Sequence, residues 1–323
     1  MRRRDFILGG ITIGCPIAAQ AQQPAIPVVA VVSGQSPDTD ARNAAAFHKG
    51  LNETGYVEGQ NVSVEYHWLE GRYERLPALM ADLVRRQVAV IAIPGSAPAV
   101  LAAKAATATI PIVFGVPQEP VQLGLVASLA RPGTNATGIN FFAHEVTTKR
   151  LRLLHDLVPK AVHIAVFVNP ANAASAGSTL REVQEVASIM GLQTQTLNAT
   201  TIGEIDAAFA ALARERPDAL FVAGDAFFTS RAVQFVILTA RDRFPATYAL
   251  RDFAAAGGLM SYGTDLAGVS YQVGVYTGNI LKAPSPRTCR CCSRPSSSSS
   301  STFKPREHSA SRYRQGCSPS PTR

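Results

Sequence analysis

The chain has 323 residues, of which 46% are hydrophobic and 17% charged, and its formal net charge is +8. This apolar content excludes a wholly disordered chain, and the length favours two domains over one. The positive charge lies at the two ends, because residues 22–282 hold 20 Lys and Arg against 21 Asp and Glu. The basic composition is therefore no argument for a nucleic-acid or membrane partner.

Residues 1–21 have the organisation of an export signal. A charged start at residues 2–5 is followed by the apolar stretch Phe6–Ile17 and by the small-x-small pattern of Ala19–Ala21. The paired arginines of the start resemble a twin-arginine signal. A lipoprotein signal acylated on Cys15 is the alternative, although the residue three positions earlier is not aliphatic. Either signal predicts a location outside the cytoplasm, in the periplasm.

From residue 26 onward, short β-branched runs alternate with longer amphipathic stretches, which is typical of a parallel sheet covered by helices. The first series of predicted strands is Ile26–Ser33, Asn61–Leu69, Val88–Ile93 and Ile110–Val116. Helices are predicted at about Thr39–Thr54, at Tyr73–Gln87 and from Ala97 onward. The segment Ala130–Gly138 is rich in turn formers, so a crossover to a second lobe is predicted near residues 138–142.

A second series with the same pattern follows. Its predicted helices are at about Val146–Leu157, Ser178–Met190, Ile202–Arg216 and Ser230–Arg243, and its strands are Val162–Val168, Leu192–Leu197, Ala219–Ala223 and Ala246–Leu250. The predicted fold class is therefore α/β, with two Rossmann-like doubly wound lobes at 22–139 and 140–250 and a segment at 251–282 that returns to the first lobe. The carboxyl ends of the strands would line a cleft between the lobes, where ligands bind in such folds.

The last 41 residues differ in composition from the rest of the chain. Residues 283–323 hold 12 Ser, 6 Pro and 4 Cys but no Leu, Ile, Val or Met, which predicts a disordered tail. A functional low-complexity tail and a Cys-rich metal site are alternatives, although Cys289, Cys291 and Cys292 lack the paired spacing of zinc modules. A frame-shifted translation is the favoured interpretation, because codons for this segment can be chosen that yield a strand and an amphipathic segment when read two bases later.

No catalytic or cofactor motif follows the predicted strands. The chain lacks G-x-G-x-x-G after the first strand and lacks G-x-x-x-x-G-K-[ST], H-E-x-x-H and G-x-S-x-G. Residues 16–288 contain no Cys, so neither a disulfide nor a Cys-ligated metal is expected there. Ser33 and Ser96 end strands beside glycine, where a hydroxyl and free backbone N–H groups can receive a carboxylate. We therefore expect a binding protein and not an enzyme, without cofactor or metal.

Three segments closely resemble bacterial ABC-transporter substrate-binding proteins of the tryptophan/tyrosine type. They are Gly50–Val62, Ala127–Gly138 and Ala254–Gly263, and the resemblance covers residues 22–282. It implies a fold similar to type I periplasmic binding proteins, in which two lobes close on a small solute. After the segment that matches Ile280–Lys282, proteins of this family usually continue with a strand and a helix. The residues that follow Lys282 in this chain do not have that pattern.

The resemblance also implies binding residues. The turns after the first and third strands, at Ser33 and Gly34 and at Gly95 and Ser96, correspond to the place where the family grips a polar end of its ligand, although they could also merely turn the chain. Glu119 lies where relatives often have Asp-Pro.

Four residues after the crossover complete the predicted site. Asp225 is the candidate partner for an ammonium or hydroxyl group, or else a helix cap. Phe227, Tyr248 and Tyr262 are candidates for stacking on a flat ligand, with core packing as the alternative.

The predicted function is a periplasmic receptor that captures an amino acid or aromatic compound and delivers it to an ABC permease in the inner membrane. The expected partners are this solute and the permease, and the chain is expected to be monomeric. A ligand-sensing module for a membrane signalling protein is the main alternative. A hydrolase would need the nucleophile and base that the sequence does not pair, and a transcriptional regulator would need a DNA-binding segment where the export signal stands.

Overall fold

A computed structural model of the protein describes residues 26–141, 143–282 and 292–293. The side chains of residues 143–145 and 292–293 are not described. The predicted export signal lies outside the described residues, as does the predicted tail except for Cys292 and Ser293.

The first lobe contains a parallel sheet with the strand order β11-β5-β4-β3-β1-β2. Its strands are β1 (Val28–Ser33), β2 (Ser63–Trp68), β3 (Val90–Pro94), β4 (Ile112–Val116), β5 (Ala136–Asn140) and β11 (Cys292–Ser293). The central strands are buried on both faces, which explains why their sequences are continuous apolar runs. In register, Val29 of β1 lies opposite Val64 of β2 and Val90 of β3.

The second lobe contains a parallel sheet with the order β10-β9-β8-β6-β7. Its strands are β6 (His163–Val168), β7 (Gln193–Asn198), β8 (Ala219–Val222), β9 (Ala246–Tyr248) and β10 (Met260–Ser261). Phenylalanine rings fill its core: the ring centroids of Phe167 and Phe209 lie 5.4 Å apart, and that of Phe235 lies 5.2 Å from both Phe167 and Phe228. Two parallel sheets in two lobes confirm the predicted fold class.

The helices cover both faces of these sheets. They are α1 (Pro37–Glu53), α2 (Leu76–Arg85), α3 (Ala97–Ala106), α4 (Ala143–Leu157), α5 (Ala173–Met190), α6 (Ile202–Glu215), α7 (Ala226–Ser230), α8 (Ala232–Asp242), α9 (Arg251–Ala255) and α10 (Leu266–Lys282), with a 3-10 turn at Tyr73–Arg75 before α2. Several of these helices begin at a polar side chain that accepts a hydrogen bond from a backbone N–H of the first turn. Ser36 caps α1 in this way, Ser96 caps α3 and Asp225 caps α7.

The last helix joins the lobes by returning to the first. Helix α10 packs along α1, and two glycines permit this close approach: a Cβ at Gly50 would lie 2.0 Å from the carbonyl oxygen of Tyr271, and one at Gly274 would lie 2.2 Å from that of Phe47. Helix α9 and strand β10 still belong to the second lobe, because β10 pairs with β9. The predicted return at residue 251 is therefore too early, and the crossing lies at residues 262–265.

Two local predictions were wrong, and one short helix was missed. Residues 136–138 belong to strand β5 although turn formers precede them, because pairing with β4 supplies hydrogen bonds that local propensity does not foresee. The helix predicted at Ser230–Arg243 is α8, and the short helix α7 that precedes it was not predicted. Helix α5 begins at Ala173, earlier than predicted, because Asn172 caps it.

Candidate functional site

A cavity of about 130 Å³ lies between the two lobes, at the carboxyl ends of their strands. Both lobes line it: the first contributes Ser33, Gly34, Gln35, Tyr73, Gly95 and Gln118, and the second contributes Thr147, Arg150, Asn172, Ser175 and Asp225. Phe141, Leu250 and Leu266 add apolar surface. Polar and apolar walls in one cavity suit a small solute with a polar head and an apolar body.

Asp225 is the centre of a buried hydrogen-bond network. Its Oδ1 accepts from Asn169 Nδ2 at 2.8 Å and from the backbone N–H of Phe227 at 2.9 Å. Its Oδ2 accepts from Asn172 Nδ2 at 3.1 Å and from Tyr73 Oη at 3.2 Å. The carboxylate therefore has four protein donors, from the loop between β6 and α5, from α7 and from the 3-10 turn of the first lobe, and it is rigidly placed at the cavity wall.

Tyr73 connects the lobes at this point. It lies in the 3-10 turn of the first lobe, and its hydroxyl donates across the cavity mouth to Asp225 of the second. Burial raises the pKa of the Tyr73 phenol, and the negative charge of Asp225 raises it further. The hydroxyl stays protonated at every physiological pH, so it remains a donor to Asp225.

The two lobes are in close contact beside this hydrogen bond. A Cβ at Gly71, whose φ is +77°, would lie 2.5 Å from the Cβ and 2.8 Å from the Cα of Phe227. A Cβ at Gly34 would lie 2.9 Å from the Cβ of Ala226. Only glycine fits at these contacts, so the structure represents a closed arrangement of the lobes.

Arg150 of α4 is a buried cation in the cavity wall, with 2% of its surface exposed. Its Nη2 donates to the carbonyl oxygen of Val222 at 2.5 Å and to that of Thr247 at 3.3 Å. The guanidinium carbon lies 4.0 Å from the ring centroid of Phe221. Burial lowers the pKa of Arg150 to about 9.

Three of the four residues predicted at the two strand ends line the cavity, namely Ser33, Gly34 and Gly95. Ser33 Oγ accepts from the backbone N–H of Gln35 at 3.2 Å, and Ser96 Oγ accepts from that of Ala99 at 3.4 Å, so both hydroxyls also organise the local backbone. Ser96 lies behind the wall, where its Oγ would be 3.8 Å from a Cβ at Gly34.

Four other predicted site residues lie elsewhere, because local sequence does not reveal which way a side chain points. Glu119 lines a separate groove with residues of α5 such as Arg181. Phe227 and Tyr248 are packed in the core of the second lobe, where Tyr248 stacks on Phe253 at 4.5 Å.

Tyr262 is the fourth of these residues. Lys149 Nζ lies 4.7 Å from the centroid of the Tyr262 ring. Tyr262 is not among the residues that line the cavity. Asp225, in contrast, lines the cavity and also caps α7, which was one of the two predicted alternatives.

Several cavity residues were not found by sequence reasoning. Tyr73 stands in a segment predicted as helix, Arg150 in an amphipathic helix, and Asn172 in a loop. The one available signal was at Arg150, since a cation on the apolar side of a helix, beside Leu151 and Leu154, is unusual.

The described residues contain no group of three side chains suited to hold a metal ion. Among the described helices, none combines the length and the apolar character that crossing a membrane requires.

Two lobes of parallel sheet around a lined cavity define a protein of the type I periplasmic-binding fold. The family described as ABC transporter substrate binding protein matches residues 25–297, and the chain belongs to this family. A tyrosine-binding protein of Clostridioides difficile is 25% identical over 240 residues, which cover 74% of this chain and 68% of that protein.

Two solved structures have the same fold. One is a conserved domain protein from Vibrio cholerae, with a TM-score of 0.74 and 24% identity, and the other is an ABC domain from Streptococcus pneumoniae in complex with L-Trp, with a TM-score of 0.74 and 20% identity. In both comparisons the match covers 83% of this chain and 89% of the other.

Proposed function

We propose that this ABC-transporter substrate-binding protein captures an amino acid with an aromatic side chain in the cavity between its lobes and delivers it to a permease. The observation that carries this proposal is the hydrogen bond from Tyr73 to Asp225, because it joins the two lobes across a cavity that both of them line. A solute in that cavity is enclosed when the lobes meet and is released when they part.

The chemistry of the walls supports an amino acid. Asp225 places a negative charge at the cavity, and the Oε1 atoms of Gln35 and Gln118 are buried acceptors without a hydrogen-bond partner among the described residues. The negative charge attracts the ammonium end of a solute, and the two unpartnered amide oxygens can accept its hydrogen bonds. Phe141, Leu250 and Leu266 suit an apolar side chain. The relatives named for tyrosine and for L-Trp make these two amino acids the first ligands to test.

The proposed place of action is the periplasm. The pattern of residues 1–21 supports export, and the family supports a partner permease. If this is correct, the processed protein begins at Gln22 and is recovered in the periplasmic fraction. N-terminal sequencing of the fractionated protein tests this, and an unprocessed chain retained in the cytosol would contradict it.

Binding itself is tested by isothermal titration calorimetry of the full chain with L-tryptophan and L-tyrosine. We expect heat of binding from at least one of them, with an affinity that falls about 10- to 100-fold in Asp225→Asn, because this substitution removes the negative charge at the cavity and weakens the hydrogen bond from Tyr73 that joins the lobes. The matched control is Asp252→Asn, which alters an exposed carboxylate on α9 and is expected to leave binding unchanged. Absence of binding by a folded wild-type protein would rule the proposal out.

A further inference from the structure

Arg150 carries a positive charge that the described part of the chain does not neutralise. No ion pair joins its guanidinium to a carboxylate there, although the residue is almost completely buried. Desolvation alone accounts for the lowered pKa of the group, with no contribution from a neighbouring carboxylate. A buried charge without a counter-ion is costly, and a negatively charged solute would supply the missing counter-ion.

Two of the three guanidinium nitrogens of Arg150 donate no hydrogen bond within the described residues. Nη2 is occupied by the carbonyl oxygens of Val222 and Thr247, which leaves the other two nitrogens. Nε is buried without an acceptor, and Nη1 donates no hydrogen bond within the described residues. Since Arg150 lines the cavity, Nη1 is the nitrogen placed to meet a solute.

Asp225 cannot serve as this counter-ion. It lines the same cavity, but both of its oxygens already accept two hydrogen bonds each, from Asn169, Asn172, Tyr73 and the backbone of Phe227. Its network contains no arginine. The cavity therefore presents a saturated carboxylate and an unsaturated guanidinium at separate places on its wall.

We propose that Arg150 binds the carboxylate of the solute and thereby selects solutes that carry one. This inference rests on the proposed function and adds the recognition element for the anionic group. The solute carboxylate accepts from Nη1, while the acceptor oxygens of Gln35 and Gln118 in the first lobe face the donor end of the same solute. A zwitterion therefore bridges the lobes, whereas an amine or amide lacking the negative charge leaves Arg150 unpaired.

The test compares two ligands that differ only in the negative charge, L-tryptophan and L-tryptophanamide, with L-tyrosine and its amide as a second pair. Affinities are measured by calorimetry at pH 6, where the α-amines are protonated. We expect the full-length wild type to prefer each acid over its amide by about 100-fold, in the range measured when one partner of a buried charge pair is removed. This comparison requires no variant and therefore does not depend on how a mutant folds.

Arg150→Gln supplies the second arm of the experiment. It is expected to remove the preference, so that acid and amide bind about equally, whereas a purely structural role would weaken both ligands alike and keep their ratio. Arg150→Lys retains the charge and should restore part of the preference. The control is Arg152→Gln, an exposed position two residues further along α4, which should change neither affinity nor ratio.

The outcomes separate this inference from the function on which it rests. Equal binding of acid and amide by the wild type, or an unchanged ratio in Arg150→Gln, overturns the role of Arg150 and leaves the receptor in place. Failure of the folded wild type to bind any of the four ligands overturns the proposed function and the inference together.

Discussion

The hydroxyl of Tyr73 and the carboxylate of Asp225 lie 3.2 Å apart although 152 residues separate them in the chain, and each belongs to a different lobe. The hydrogen bond exists only while the lobes are together. It therefore contributes free energy to the closed state and none to the open one.

Tyr73→Phe is expected to shift the protein towards the open state. Removing a hydrogen bond to a charged group costs about 1.5–3 kcal/mol, so the apparent affinity for the solute should fall about 10- to 100-fold. Small-angle X-ray scattering of the unliganded protein should show a larger radius of gyration.

Tyr66→Phe is the control for this experiment. It also removes a tyrosine hydroxyl hydrogen bond, to the carbonyl oxygen of Ala44, but both residues lie in the first lobe. Its radius of gyration and affinity should match the wild type. Equal effects of the two substitutions would show that the Tyr73 hydrogen bond does not hold the lobes together.

Gly71→Ala is expected to prevent full closure. The added Cβ would lie 2.5 Å from the Cβ of Phe227, and the backbone of both residues is fixed by its own lobe. Solute affinity should fall at least as far as in Tyr73→Phe, while the far-ultraviolet circular dichroism spectrum remains that of the wild type.

Gly59→Ala is the control that distinguishes the steric clash between Gly71 and Phe227 from backbone strain. Gly59 has a φ of +76°, close to that of Gly71, but a Cβ there would meet no atom within 4 Å. Both variants should lose the roughly 1–2 kcal/mol that a left-handed backbone costs an ordinary residue, but only Gly71→Ala should lose affinity. Normal affinity in Gly71→Ala would contradict the closed contact.

Gly274→Ala is expected to destabilise the first lobe. Its Cβ would lie 2.2 Å from the carbonyl oxygen of Phe47, so α10 would have to move away from α1. We expect a loss of about 1–3 kcal/mol, typical of overpacking, measured by urea denaturation. Gly177→Ala in α5 is the opposite case, since its nearest contact would be Arg181 Nη1 at an ordinary 3.5 Å, and it should be neutral or slightly stabilising.

Asp218 makes the stability of the second lobe depend on pH. Its Oδ2 accepts from the backbone N–H groups of His163 and Val162, both at 2.8 Å, and these bonds hold the pKa of the carboxyl below its ordinary value. The stabilisation is present above the unfolded value of 3.8 and is lost as pH falls through the lower folded value.

Asp218→Asn should therefore melt below the wild type at pH 7, and the difference between the two melting temperatures should shrink as pH is lowered towards 3. Asp252→Asn, an exposed carboxylate on α9, should show no such convergence. If the difference in melting temperature between Asp218→Asn and the wild type stayed constant with pH, the loss of stability would come from altered packing and not from the lost charge.

Local pattern was sufficient to predict most of the strands and their two series, because a strand buried on both faces requires a continuous apolar run, but it missed β5 and β10. The family resemblance, and for Ser33 also the local pattern, indicated the strand-end residues Ser33, Gly34 and Gly95, which line the cavity. The resemblance also indicated Asp225, which lies in the loop after β8. The sequence could not tell whether Tyr248 and Phe227 point to a ligand or to the core, since both environments favour aromatic side chains.

Only the tertiary structure shows that Tyr73 lies beside Asp225 and that α10 packs against α1. Only the tertiary structure shows that Arg150 lies in the cavity wall without a counter-ion. These relationships join residues far apart in the chain, and no local propensity encodes them. Hydrophobic periodicity determines which elements form and which faces they bury, whereas the composition of the site depends on how whole lobes pack, a free-energy difference summed over many distant contacts.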